Sequence, residues 1–282
     1  MSSINNNPGA AIALQMLSKN REEKEDVQDD VSTGKEVNTA KDNAALWAIS
    51  EVMEADIGGF EAASRTLSIG EATVAVASAG AEQITNVLED MKVLAIQAQS
   101  GTADFGMIEE QMAAKAEQIN SIVGSAQFNG VNLLATDTDG NGGTGLTVPT
   151  ALNRQGSDPA TLSTMTVDSV DFEGDAAFDI GGRTAITDAA SARTALDEIN
   201  GFLDFAINGA AKLGSDAAQM REQNEFLHKL NDTTKQGLGE IRDAKLDEAA
   251  TRLAALDAQQ QLSMSGLNIA NANPGALGKL FG

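Results

Sequence analysis

Apolar residues recur at alternating steps of three and four from Val74 onward, through Ala77, Ala81, Ile84, Leu88, Met91, Ala95 and Ala98. This spacing puts one narrow stripe on an α-helix and is the heptad seam by which helices pack in pairs. The seam stops at "SGTADFG" (100 to 106) and resumes on a second predicted helix through Ile108, Met112, Ala116, Ile119 and Val123. "FNG" (128 to 130) then signals a turn. A longer seam fills the second half: Leu196, Ile199, Leu203, Ala206, Ala210, Leu213, Ala217, Met220, Asn224, Leu227, Asn231, Thr234, Leu238 and Ile241. At ~1.5 Å per residue, 196 to 241 predicts a helix of roughly 70 Å. The polar positions Asn224, Asn231 and Thr234 are read as places where the seam turns toward solvent; the alternative is that they fix register.

Residues 136 to 190 interrupt these patterns with eight Gly, no Lys and nine acidic residues against Arg154 and Arg183. Short β-branched stretches, "LTV" and "TMTVDSVDF", predict a small, acidic, partly β insertion on the surface. Helices, insertion, helices is a path that goes out and returns, so both chain ends finish at one end of a rod. Those ends are apolar, "GAAIALQML" (9 to 17) and "LNIANANPGALGKLFG" (267 to 282). Bare apolar ends invite association.

Composition narrows the class. Apolar residues make up 42% of the chain but aromatics only 4%, with one Trp and no Tyr. A core short of large rings favours close-packed long helices, and the expected fold is mainly α: long antiparallel helices in a coiled-coil-like rod, with a small α+β or β insertion at its outer tip. A formal net charge of -22 repels nucleic-acid phosphates and anionic lipid, which argues against both as partners. No apolar run approaches membrane-spanning length, and "MSSINNNPGAAIALQMLSKN" lacks a secretory signal pattern, so if the protein leaves the cell it is expected to use a route that needs no cleaved signal. The absence of Cys excludes disulfides and thiolate metal sites.

The local motifs carry little chemistry. "DTDGNG" (137 to 142) matches the first half of a calcium loop, with oxygens at Asp137, Asp139 and Asn141 and Gly142 at the turn. The twelfth position, which should be a bidentate Glu, is Val148, and Pro149 blocks the exiting helix, so the stretch is read as a plain acidic turn. His228 is the only histidine and is read as a helix-surface residue; no two-histidine metal motif can be built. Trp47 is assigned to the core, and the sequon "NDT" (231 to 233) lies inside the helical seam. No catalytic constellation, resident metal or cofactor is expected.

Several motifs together resemble a known family. "VSTGKEVNTAKDNAALWAI" (31 to 49), "MKVLAIQAQSGT" (91 to 102), "AQFNGVNLL" (126 to 134) and "LNIANANPGALGKLF" (267 to 281) are similar to bacterial flagellin, the filament subunit of the flagellum, and "AKDNAALWAI" to its short alphaproteobacterial forms. The resemblance spans about 1 to 135 and 190 to 282. It implies terminal helices in an inner filament tube (1 to 45 and 242 to 282), a helical rod domain (46 to 135 and 190 to 241) and a variable outer domain (136 to 189). It implies a secreted, non-enzymatic subunit that polymerises into an extracellular filament for swimming, exported unfolded by the flagellar type III route, assembled at the filament tip and folded at the ends on assembly. The implied partners are further copies of the chain, sister flagellins, an export chaperone, the filament cap and hook-filament junction proteins.

On that basis Ile12, Leu14, Leu17, Leu267, Ile269, Leu277, Leu280 and Phe281 are the expected self-assembly residues. Val74, Ile84, Leu88, Met91, Leu196, Ile199, Leu203, Leu213, Met220 and Leu227 are the expected rod seam, completed by neighbouring copies. Three features depart from the family pattern. The chain ends in Phe281 and Gly282 where these flagellins commonly end in Arg, and "NREEKEDVQDDV" (20 to 31) is highly charged for an inner-tube helix. Asp90 occupies the position where other flagellins carry the Arg read by the flagellin-sensing Toll-like receptor. Three rivals fit less well: a hook-filament junction protein, against which "AQFNGVNLL" counts; a flagellin-borne metallopeptidase, which needs two His in one motif; and a cytosolic coiled-coil scaffold, against which the apolar ends count.

Overall fold

The computed structural model describes residues 7–100, 102–154 and 160–278, with side chains to residue 272. In chain order it contains α1 (Pro8–Thr33), α2 (Ala44–Ala98), α3 (Phe105–Ser125), β1 (Gly145–Asn153), β2 (Thr161–Asp168), α4 (Ala189–Arg242) and α5 (Leu246–Gly278). The chain divides into two compact units: a terminal unit, from the residues up to Ile57 with those from Asp232 onward, and a central unit, Gly58–Asn231. α2 and α4 supply residues to both.

Helix ends sit where local chemistry satisfies free backbone groups. Asn7 caps α1 by accepting the Ala10 N–H, Pro8 takes the first turn, and Gly34 closes the helix in the left-handed region at φ 72°. Asp104 caps α3 through the Met107 N–H. At the start of α4 the Asp188 carboxylate accepts the Ala190 and Ser191 N–H groups, and the Ser191 hydroxyl accepts the Asp188 N–H in return. These amides hold the Asp188 carboxyl below its usual value, the Ser191 contact first. At "FNG", Asn129 (φ 50°) and Gly130 (φ 83°) both take positive φ while Phe128 and Val131 exchange backbone hydrogen bonds, the geometry of a type I′ turn.

The central unit is built on the predicted stripes. Every residue of the first seam, from Val74 to Ala98, is buried, as are Met112, Ile119 and Val123 of α3 and Ile199, Ala206, Leu213, Met220 and Leu227 of α4. α2 and α4 run antiparallel here: Ser64 bonds to Asn224, and Glu71 to Arg221. Residues 136–189 fall within this unit. β1 and β2 form an antiparallel hairpin whose register shifts between Pro149 and Ala151. At that bulge the Thr150 carbonyl accepts from Gln223 Nε2 of α4. β2 ends before the predicted stretch does, because Val170 and Phe172 give their N–H groups to Leu133 and Leu134 instead. Phe172 and Phe178 then join Phe202 and Phe205 of α4 in one aromatic cluster, with centroids 4.8 to 5.6 Å apart.

Helical glycines make room for the hairpin segment. A Cβ on Gly70 would lie 2.9 Å from Val148 Cγ1, and one on Gly209 only 2.5 Å from Val170 Cγ1. Gly in a helix interior costs about 1 kcal/mol relative to Ala, and here that loss admits a close approach no side chain would allow.

Candidate assembly surfaces

In the terminal unit α1 and α5 pair antiparallel. Asn7 Nδ2 donates to the Ala270 carbonyl (2.8 Å), Asn20 Nδ2 to Gln259 Oε1 (3.3 Å), and Lys24 binds Gln260 Oε1 (3.2 Å) and Asp257 (2.6 Å). Leu17, Val27 and Leu256 are buried in this unit, so one stripe of each helix is spent within the chain. A second apolar set is left bare: Ile12 is 55% exposed, Leu14 53% and Ile269 68%. Of the expected assembly residues, then, Ile12, Leu14 and Ile269 face outward, Leu267 is half-buried and Leu17 is internal. The Leu277 side chain, Leu280 and Phe281 lie outside the described residues. The sequence reading missed Met16, Leu262 and Met264, equally bare and separable from buried positions only once the α1–α5 pairing is known.

The charge of "NREEKEDVQDDV" is sorted between the two faces of α1. Lys24 turns toward α5, while Glu22, Glu25, Asp26 and Asp29 are exposed. Asp30 sits where burial raises its carboxyl above the usual value; Glu36, Asp42 and Asp26 add repulsion and Arg252 opposes them.

The expected rod seam is an internal core. Val74, Ile84, Leu88, Met91, Ile199, Leu213, Met220 and Leu227 are buried in one cluster, with Leu196 and Leu203 packed against it. No second copy is needed to complete it, which corrects the expectation that neighbours close the stripe. Nor does the seam turn to solvent at its first two polar positions. Asn224 accepts from Ser64 Oγ (2.6 Å) and donates to Ser68 Oγ (3.1 Å), and Asn231 is buried. Ser and Asn across the seam satisfy each other where two apolar residues would otherwise meet.

The remaining candidates are chemically quiet. Ser64 is buried and donates to Asn224 Oδ1 at 2.6 Å, and its Oγ lies 3.2 Å from His228 Nε2, a contact whose direction depends on the imidazole tautomer. In the loop after residue 136, Asp137 accepts the Asp139 and Gly140 amides, and Asp139 those of Asn141 and Gly143. Backbone amides, led by that of Gly142, hold the Asp137 carboxyl below its usual value. Among the described residues no group of three or more His, Cys, Asp and Glu is placed to hold a metal ion. Asp90 pairs with Lys115 of α3 at 2.7 Å on the rim of an open groove lined by Val93, Leu94 and Gln111.

Paired long helices, a closed internal seam and a bare apolar arm make up the described structure. Comparison with known proteins gives the family. Residues 4–139 match the bacterial flagellin N-terminal helical region and 185–281 the bacterial flagellin C-terminal helical region. The chain is 32% identical to flagellin FljO of Caulobacter vibrioides over 284 residues, covering 100% of this chain and 99% of the relative. It is 32% identical to a flagellin of Brucella melitensis over 286 residues, with the same coverage. A crystal structure of Bacillus cereus flagellin, 22% identical, aligns with 57% of this chain and 88% of its own at a TM-score of 0.49. This chain belongs to the bacterial flagellin family. Members of the family are structural subunits, not enzymes; they self-assemble into the flagellar filament, which is extracellular. Among the described residues no helix is long and apolar enough to cross a membrane.

Proposed function

We propose that this chain leaves the cell unfolded by the flagellar type III route and polymerises at the growing filament tip, to serve swimming motility. Its arm of α1 and α5 lines the inner tube of the filament, and 136–189 lies on the outward side of its unit. Its partners are further copies of itself, sister flagellins, an export chaperone, the filament cap and hook-filament junction proteins. The observation that carries the reading is the bare apolar set Ile12, Leu14, Met16, Leu262 and Ile269 on paired helices whose other stripe is already spent. These side chains are already partly covered, so each is worth roughly 1 to 2 kcal/mol once a neighbour covers the rest. A head-to-tail contact that does not close on itself builds a helical polymer.

Deleting 267 to 282 tests the reading. The truncated chain should stay soluble and helical by circular dichroism, and form no filaments under negative stain after salting, where the full chain does. Filaments of normal length from the truncated chain would overturn it.

A further inference from the structure

The helix breaks on either side of the terminal arm are joined to each other. α1 stops at Thr33 and α2 starts at Ala44; α4 stops at Arg242 and α5 starts at Leu246. Across these breaks the chain pairs in a short antiparallel ladder. The Arg242 carbonyl accepts the Glu36 and Val37 N–H groups (2.8 and 3.2 Å), Lys35 bridges to Asp243, and the Ala244 N–H donates to the Gly34 carbonyl (2.9 Å). Such a ladder is only a few bonds long, and two helices could swing about it.

One side chain spans the joint and removes that freedom. The Arg242 guanidinium donates through Nη1 to Glu54 and lies 3.8 Å from Glu51 through Nη2, both carboxylates on α2. Arg242 is only 9% exposed, and its Nε is buried without a hydrogen-bond partner. Placing a guanidinium in that setting is costly, and an apolar side chain of similar length would fit at no loss of stability. A charge kept at such a cost fixes direction better than it stabilises: two carboxylates one helical turn apart hold a planar fork in one orientation, as a greasy contact does not.

We propose that Arg242 is a latch: its guanidinium, gripped by Glu51 and Glu54, and its carbonyl, gripped by Glu36 and Val37, together fix the direction in which the α1–α5 arm leaves the ends of α2 and α4. Three segments converge on this residue, the end of α4, one face of α2 and the first residues of the α1–α2 connection. On the reading of the arm as the polymerising surface, Arg242 sets the angle at which that surface is offered to a neighbour.

The test is amide hydrogen exchange, read by mass spectrometry, on the full chain in polymerising salt. Arg242→Met removes the charge and keeps the bulk; Glu51→Gln with Glu54→Gln removes the grip and leaves Arg242 in place. Both should speed exchange in peptides covering 34–37 and 244 at least tenfold, while peptides of the seam, 84–98, keep their protection and the melting temperature of Arg242→Met stays within a few degrees of the parent. Arg242→Glu combined with Glu54→Arg should restore slow exchange. Unchanged exchange at 34–37 in both variants would overturn the latch, as would a loss of protection spread equally over the seam. Filament formation by the unaltered chain is scored separately, so a failure of assembly and a failure of the latch are distinguished.

Discussion

Replacing one glycine of α4 should destabilise the protein, while replacing another five residues further on should stabilise it. Alanine in place of glycine in a helix interior gains about 1 kcal/mol in intrinsic propensity. At Gly214 nothing lies within 4 Å of the new Cβ, so Gly214→Ala should collect that gain. At Gly209 the Cβ would sit 2.5 Å from Val170 Cγ1 and 3.4 Å from its Cγ2. Val170 cannot retreat cheaply, because its N–H is bonded to the Leu133 carbonyl at 2.8 Å and its side chain is buried. Overpacking of this kind costs roughly 1 to 3 kcal/mol, which outweighs the propensity gain in most of that range. The two variants should therefore differ by about 1 to 3 kcal/mol, or roughly 3 to 10 °C in the helical melting transition of a unit this size. Circular dichroism at 222 nm on the full chain reads it. Adding Val170→Ala to Gly209→Ala should cost less than the sum of the two alone, since each relieves the other. A Gly209→Ala protein that melts at or above Gly214→Ala would refute the close approach of the hairpin segment to α4.

Three further outcomes follow from charges. Burial raises the Glu109 carboxyl, but the bidentate Arg183 contact and the Ile186 N–H outweigh it and hold the carboxyl below its usual value; its contribution is full above about pH 4.3 and is lost as pH falls through the lower folded value, so urea unfolding of Glu109→Gln should show a shallower acid loss than the parent, and equal slopes would refute this. Subunits carrying -22 each should polymerise faster as ionic strength rises, since repulsion is screened within about 10 Å at 0.1 M salt; light scattering that shows one rate from low to high salt would mean the charges are already compensated between copies. Asp90→Arg should raise potency at the flagellin-sensing Toll-like receptor by more than about 30-fold in a reporter-cell titration, because the parent presents a carboxylate, paired to Lys115, where the resemblance to other flagellins implies a cation; no gain would show that other positions on that face also differ.

The helical seams were legible because a period of three and four is a property of neighbouring residues on one element. Ala77, Ala81, Ala95 and Ala98 are small and unremarkable singly, yet their spacing alone assigned them to the core, where all four lie. The segment 136–189 defeated the same reasoning. Its Gly and acid content describes its outer face, whereas Val148, Val167, Phe172, Phe178 and Ile186 are buried with no common period, since a two-stranded hairpin and its flanking turns meet α4 at irregular points. Isolated glycines within helical patterns, such as Gly70 and Gly209, are the signal the sequence carries of that approach. Asn224 was misread because a polar residue on a stripe is ambiguous until its partner is known, and Ser64 lies far away in sequence. Arg242 carried no signal at all: nothing near it in sequence marks a cation that will be enclosed.

A seam that closes within one chain changes where the energy of polymerisation has to come from. Had α2 and α4 each lacked a partner, burying their stripes would have driven association, and the free subunit would have been an open surface. Instead Leu88, Met91 and Met220 are already covered, so burying them again is worth nothing to a neighbour. What remains is the bare set on α1 and α5, with single residues such as Ile69, Ile96 and Phe226 on α2 and α4, set among carboxylates that repel. Small apolar gains against a diffuse repulsion give an association that is weak for one contact and strong only when many contacts form together. A subunit of this kind gains little from a single neighbour and much from several at once.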